Sequence, residues 1–130
     1  MNPRFARRLA RFNRRFTNHL ARPLATRLPG FGVVVHTGRR SGRGYRTPVN
    51  VFKQPGGGYV IALTYGRTAD WVKNVVKAGR CELVMRGRRH RLVRPEIFRD
   101  DARHAVPRVV RPMLHRLGVA EFMRLEESRE

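Results

Sequence analysis

The spacing of apolar positions divides the chain into a helical opening segment, a run of short strands, a short helix, a hairpin and a tail. In residues 3–21, Phe5, Leu9, Phe12, Phe16 and Leu20 recur at intervals of 4, 3, 4 and 4, the period of a single helical face. Arg4, Arg7, Arg8, Arg11, Arg14 and Arg15 occupy the other side. Asn2-Pro3 suits a helix start, Pro23 ends or kinks the helix, and Pro29-Gly30 closes the linker. The spacing therefore predicts a basic amphipathic helix with its linker over residues 1–28 and a folded domain over 29–130. Three uses of the helix stay open: packing its Phe face on the domain, lying on an anionic membrane, or serving as an arginine-rich targeting segment.

From residue 31 the period changes. Short β-branched and aromatic runs predict strands at Phe31–Thr37, Tyr45–Lys53 and Tyr59–Thr64, with Pro55-Gly56-Gly57-Gly58 as the second turn. Pro48 inside the second strand implies an edge, a bulge or a backbone break. Thr68 reads as the N-cap of a short helix with Asp70 in its first turn. Trp71, Val72, Val75 and Val76 form its apolar face and Gly79 its stop. Cys81–Met85 and Arg89–Phe98 form a hairpin around Arg86-Gly87-Arg88, with Arg89, Arg91 and Arg94 on its polar face. Beyond Arg99-Asp100-Asp101 the pattern predicts a helical tail. Pro107 and Pro112 break it, Gly118 ends one piece, and Val119, Phe122, Met123 and Leu125 supply one or two more turns. Pattern alone supports a small α+β or β-barrel domain.

Composition narrows the partners. Formal net charge is +20, with 29 Lys and Arg against 9 Asp and Glu among 130 residues, and no acid precedes Asp70. That asymmetry favours an anionic partner: nucleic acid, an acidic membrane surface or an anionic cofactor. Nucleic acid is the weakest of these, because no RNP, zinc-finger or helix-turn-helix signature accompanies the charge. A chain this short forms one domain with a modest core, which suits a site shared between two subunits of a homodimer. Cys81 is the only cysteine, so neither a disulfide framework nor a cysteine metal site is expected, and a reducing cytoplasmic interior suits the chain. No apolar run of about 18 residues predicts a membrane span.

The chemistry concentrates in one stretch, Gly38-Arg39-Arg40-Ser41-Gly42-Arg43-Gly44-Tyr45-Arg46-Thr47-Pro48. Glycines allow close backbone approach, successive N–H groups can form an anion nest, and arginine forks match phosphate or carboxylate oxygens. The stretch reads as an anion-holding hairpin or as a solvated basic turn. His36, just before it, is either a ligand contact or an ordinary strand-end polar residue. No histidine stands at HExxH spacing, no G-x-S-x-G occurs, and neither a Walker A nor a Rossmann glycine pattern follows a strand. Catalytic side chains and metal ligands are therefore not assigned. Chemistry carried by a cofactor, with the protein supplying placement, is the alternative.

The same hairpin carries a family resemblance. Gly38-Arg39-Arg40-Ser41-Gly42 with Arg46-Thr47-Pro48-Val49 resembles the GRKSG…R…NPL hairpin of the deazaflavin-dependent nitroreductase and quinone reductase family, whose members bind coenzyme F-420. Gly58–Thr64, Asp70–Val75 and Gly79–Val84 resemble that family's next strand, its P-x-W-x-x-N-L helix start and its fourth strand. The resemblance spans residues 31–99. It implies a split β-barrel like the flavin-mononucleotide-binding barrels, with helices before and after. It implies that Arg39, Arg40 and Ser41 form the phosphate and tail loop, and that Tyr45, Arg46, Thr47, Pro48 and Val49 pass along the cofactor. Ala62, Leu63 and Thr64 would present backbone to the deazaflavin, while Trp71, Lys73 and Asn74 close the phosphate side. The implied activity is hydride transfer from reduced coenzyme F-420 to a quinone, nitroaromatic or other conjugated acceptor, in the cytoplasm or on the inner face of its membrane. The alternative is a non-catalytic lipid, fatty-acid or cofactor binding protein at the membrane surface.

Overall fold

A computed structural model describes residues 30–129 of the chain. The opening helix expected over residues 3–21 lies outside the described residues. Six strands close into a barrel: β1 (Phe31–Thr37), β2 (Gly44–Lys53), β3 (Tyr59–Ala62), β4 (Arg80–Met85), β5 (Arg88–Arg99) and β6 (Glu121–Glu127), in the order β1-β2-β3-β6-β5-β4. Every neighbouring pair is antiparallel. Closure gives every strand a neighbour on both sides over part of its length, which is how a small all-antiparallel sheet satisfies most of its backbone.

The alternation of side chains sorts the core into two bodies. Val34, Val51, Tyr59, Ile61, Leu63, Leu83, Leu92, Met123 and Leu125 fill the barrel interior. Helix α1 (Asp70–Ala78) adds Val72 and Val75 to that interior, with Trp71 packed against it. Gly32 is required by this packing. A Cβ there would lie 2.9 Å from both Leu83 Cδ1 and Val51 Cγ1. The second body lies outside the barrel wall, where Phe52, Val60, Ala62 and Phe122 meet Val106, Val110, Leu114 and Val119. A lobe of turns and one short helix, α2 (Arg111–Arg116), carries three of those partners.

The expected hairpins and α1 are present within a residue or two at most ends, and Gly79 stops α1 in the left-handed region at φ 73°. Three expectations are corrected. Ala69, not Thr68, stands at the N-cap of α1, and no side chain caps it; Asp70 in the first turn complements the helix end instead. The third strand stops at Ala62, because β6 pairs it only through Ala62 opposite Phe122. The helical tail is replaced by turns, the six residues of α2 and a strand. Pro112 does not break a helix; it stands in the first turn of α2, where its missing N–H costs nothing. Val119, Phe122, Met123 and Leu125 do not make helical turns. Residues 121–127 form β6, since the barrel offers two open ladders there, from β3 and β5, and pairing both satisfies more backbone than an isolated turn. Of the edge, bulge or backbone break that Pro48 implied, the edge is found: β3 pairs only Val51–Lys53, so the first half of β2 has β1 as its sole partner.

Candidate functional site

The β1–β2 connection is a closed loop. Gly38 N–H donates to the Arg43 carbonyl at 2.7 Å and Gly42 N–H to the Gly38 carbonyl at 2.9 Å. Gly38 must stay small, because a Cβ would meet Ser41 Oγ at 2.6 Å and the Tyr45 ring at 2.7 Å. Ser41 Oγ lies 3.2 Å from Tyr45 Oη and accepts the Arg43 N–H. The loop thus packs on itself through Ser41 and Tyr45.

Helix α1 fastens the loop to the barrel. Asn74 Oδ1 accepts Arg39 N–H at 3.1 Å and Arg39 Nη1–H at 2.8 Å, while Arg39 Nη2 pairs with Asp70 Oδ1 at 3.2 Å. Two donors on Oδ1 orient the amide, so its NH2 faces His36 Nδ1 at 3.1 Å. That donor count assigns Nδ1 as the acceptor and Nε2 as the protonated nitrogen of a neutral imidazole. Nε2–H then donates to Thr47 Oγ1 at 2.9 Å. Asp70, Arg39, Asn74, His36 and Thr47 form one continuous relay across α1, the loop, β1 and β2. His36 and Asn74 are buried, and the His36 ring also tilts over Tyr45 at 5.8 Å between centroids. The sequence offered His36 as a ligand contact or a strand-end polar residue and Asp70 as a helix-start acid, and neither reading named the partners found here. Their partners lie 11 to 38 residues away, and no local signal points to them.

The structure divides the sequence-predicted site residues into three groups. Arg39, Thr47 and Asn74 have their polar atoms committed to the relay, and Ser41 and Tyr45 to each other. Arg40, Arg46 and Lys73 are exposed, as is Arg43, and none forms an ion pair among the described residues. The third group is apolar or belongs to the wall. Val49 is in the barrel core, Pro48 is half-buried opposite Val33, and Trp71 is half-buried against the core. Leu63 points into the barrel, whereas the Ala62 side chain points out into the second apolar body, so only backbone is available from that pair. Thr64 follows in the exposed turn. The loop, the N-terminal turn of α1 and the start of β2 are thus joined, and they carry four exposed cations, Arg40, Arg43, Arg46 and Lys73.

Elsewhere, Tyr59 Oη, His90 Nδ1 and Glu127 Oε2 form a second polar cluster, with His90 2.8 Å from the carboxylate. Cys81 is buried in the barrel, where desolvation first and then Glu82 push its thiol up to about 12, so it is not a nucleophile at neutral pH. No group of three or more His, Cys, Asp or Glu able to hold a metal occurs among the described residues.

Two comparisons bear on this arrangement. The family model described as F-420H(2)-dependent quinone reductase matches residues 6–116. Among solved structures, the protein Atu2129 (unknown function) from Agrobacterium tumefaciens str. C58 shares the fold, with a TM-score of 0.56 at 18% identity over 75% of this chain and 48% of that one. This chain therefore spans about half the length of that protein, and at such identity the likeness is one of fold alone. No curated protein matches the chain.

Proposed function

The chain belongs to the F-420H(2)-dependent quinone reductase family, an oxidoreductase family dependent on reduced coenzyme F-420, and on that premise we propose that the β1–β2 loop and α1 hold the coenzyme for hydride transfer to a quinone or a nitroaromatic. The observation that carries the assignment is the set of exposed, unpaired cations Arg40, Arg43, Arg46 and Lys73 around a loop already locked by Arg39 and Asn74. The donor set fits the group: its phosphate and oligoglutamate tail are anionic, and arginine forks suit both. When bound, the reduced deazaflavin supplies the hydride.

The chain's own residues then have two tasks. Arg40, Arg43, Arg46 and Lys73 bind the charged end. The relay from Asp70 to Thr47 fixes the loop and the start of β2, which carry Arg40, Arg43 and Arg46, to α1, which carries Lys73, so that the backbone bearing those cations needs little reorganisation on binding. Backbone at Ala62–Thr64 and the half-buried faces of Pro48 and Trp71 border the ring in this reading. We read the barrel as kin to the flavin-mononucleotide-binding split barrels and residues 29–130 as the binding unit, with a homodimer as one way to complete the slot. Placement in the cytoplasm or at its membrane face belongs to the same proposal. No helix among the described residues is long and apolar enough to cross a membrane.

Titration with purified coenzyme F-420, read by fluorescence quenching, tests the assignment. Each charge-assisted bond contributes roughly 1.5–3 kcal/mol. Replacing Arg40 and Arg43 together by Ala should weaken binding at least about tenfold. Unchanged affinity in that double variant removes the loop from the site. Oxidation of reduced coenzyme with menadione as acceptor, followed by absorbance, then separates enzyme from carrier. Tight binding without turnover on quinones or nitroaromatics would favour the non-catalytic alternative.

A further inference from the structure

The lobe of residues 100–118 carries more apolar surface than the barrel can cover. Val106, Val110 and Leu114, spaced four apart, are buried against the outer wall at β3 and β6. Val109, Met113 and Leu117, also spaced four apart, form a parallel row one position away, and they are 74%, 39% and 46% exposed. On α2 and the turn before it, the two rows lie side by side, so one continuous apolar arc is half seated and half open. Pro107 and Pro112 are exposed in the same lobe.

The charge around this row is mainly positive, the two acids of the lobe, Asp100 and Asp101, standing at its start, where Asp101 pairs with Arg99 and Asp100 accepts the Ala105 N–H. Residues 102–120 contain no Asp or Glu. Arg108 and Arg116 are exposed and unpaired among the described residues. Arg103 and Arg111 brace the lobe through backbone carbonyls, of Val119 and Asp101 for Arg103 and of Val106 and His104 for Arg111. Arg103 makes no ion pair, although Asp101 feels its charge. The braces hold the open row in place while keeping the lobe cationic.

We propose that this lobe is a docking surface for an anionic lipid bilayer, with Val109, Met113 and Leu117 entering the interface and Arg108 and Arg116 meeting the headgroups. An exposed apolar row inside an arginine-bearing stretch that lacks acids from 102 to 120 is the combination such an interface selects. The row holds no aromatic side chain for base stacking, which disfavours single-stranded nucleic acid as the occupant. The surface lies outside the barrel wall and shares no residue with the coenzyme loop, so it stands independently of the proposed activity.

The test uses the full chain and vesicles of phosphatidylglycerol and phosphatidylcholine in equal parts, with phosphatidylcholine alone as reference. Cys81 is buried and its thiol raised, so single cysteines introduced by Val109→Cys, Leu117→Cys or, at the β4–β5 turn, Arg88→Cys take an environment-sensitive fluorophore selectively. Labels at 109 and 117 should shift to the blue and be quenched by nitroxide lipids; the label at 88 should not. Reversing Arg108 and Arg116 to Glu should lower partitioning about 30-fold or more at low salt, and Val109→Glu with Leu117→Glu should abolish the blue shift reported from a third label at Met113→Cys. The proposal is overturned by any of three results: no binding of the parent chain to the anionic vesicles, equal binding to phosphatidylcholine alone, or labels at 109 and 117 that stay in water while the chain is bound. Capture of a protein partner by the same row without vesicle binding falls under the first.

Discussion

Asn74 is the residue on which the site's geometry turns, and its replacement by Ala is the sharpest test of the relay. The substitution removes three hydrogen bonds at once: one to His36 Nδ1 at 3.1 Å, one from Arg39 N–H at 3.1 Å and one from Arg39 Nη1 at 2.8 Å. His36 is only 6% exposed, so its Nδ1 is left buried without the amide donor. Leaving such an acceptor unmet costs about 1–3 kcal/mol. The Arg39 side chain is 20% exposed and keeps Asp70, so water recovers part of its loss. The net expectation is roughly 2–4 kcal/mol, a large share of the ~5–15 kcal/mol that holds a domain of this size. Urea unfolding followed by far-UV circular dichroism measures it, and the slope should be unchanged if only the native state is affected. Asn74→Asp supplies a second readout. It keeps an acceptor for Arg39 but turns a carboxylate oxygen toward His36 Nδ1, which must then carry a proton, and a carboxylate at that distance favours the doubly protonated imidazole over the neutral tautomer in which Nε2 accepts from the Thr47 hydroxyl. The stability deficit of that variant should shrink as pH falls through the range where imidazoles ordinarily titrate. A cost below about 1 kcal/mol for Asn74→Ala, or a pH-independent deficit for Asn74→Asp, would refute the relay as drawn.

Further expectations follow from packing and titration. Phe122 is fully buried beneath the lobe and stacks on Phe98 at 5.7 Å, so Phe122→Ala should cost about 3–5 kcal/mol by thermal or chemical unfolding. Gly32→Ala should cost about 1–3 kcal/mol, since Leu83 and Val51 already stand in the added methyl's place. The raised Cys81 thiol stays neutral in the native state. Stability from that group should therefore be intact below pH ~9 and decline as pH rises toward about 12, and alkylation of the native protein at pH 8 should be more than about 1,000-fold slower than of the unfolded chain. If the coenzyme donates the hydride, replacement of His90 or the exposed Tyr65 by Ala should reduce turnover with menadione less than about 100-fold, whereas loss of a true general acid or base would cost 10²–10⁴.

Local signals were enough for much of this molecule. β-branched runs bounded by glycine clusters marked β1, β2 and β3. Trp71, Val72 and Val75 before Gly79 marked α1, and Arg86-Gly87-Arg88 marked the β4–β5 turn. These features depend on side-chain period and turn chemistry, which are properties of a few neighbouring residues. The family was legible too: the resemblance carried by the basic glycine loop agrees with the family match. The strand character of residues 121–127 was not legible. Phe122 and Met123 are adjacent and both buried, one outside the wall and one inside, so the stretch lacks the clean alternation of a half-buried strand. It became a strand because β3 and β5 left ladders for it to complete. The resemblance put Arg39 and Asn74 at the phosphate side of one site and His36 stood beside the loop, but nothing local showed that the three bond to one another. Only closure of the barrel, with α1 laid against β1, brings them within hydrogen-bonding distance. That closure decides which cations hold the loop and which stay exposed around it.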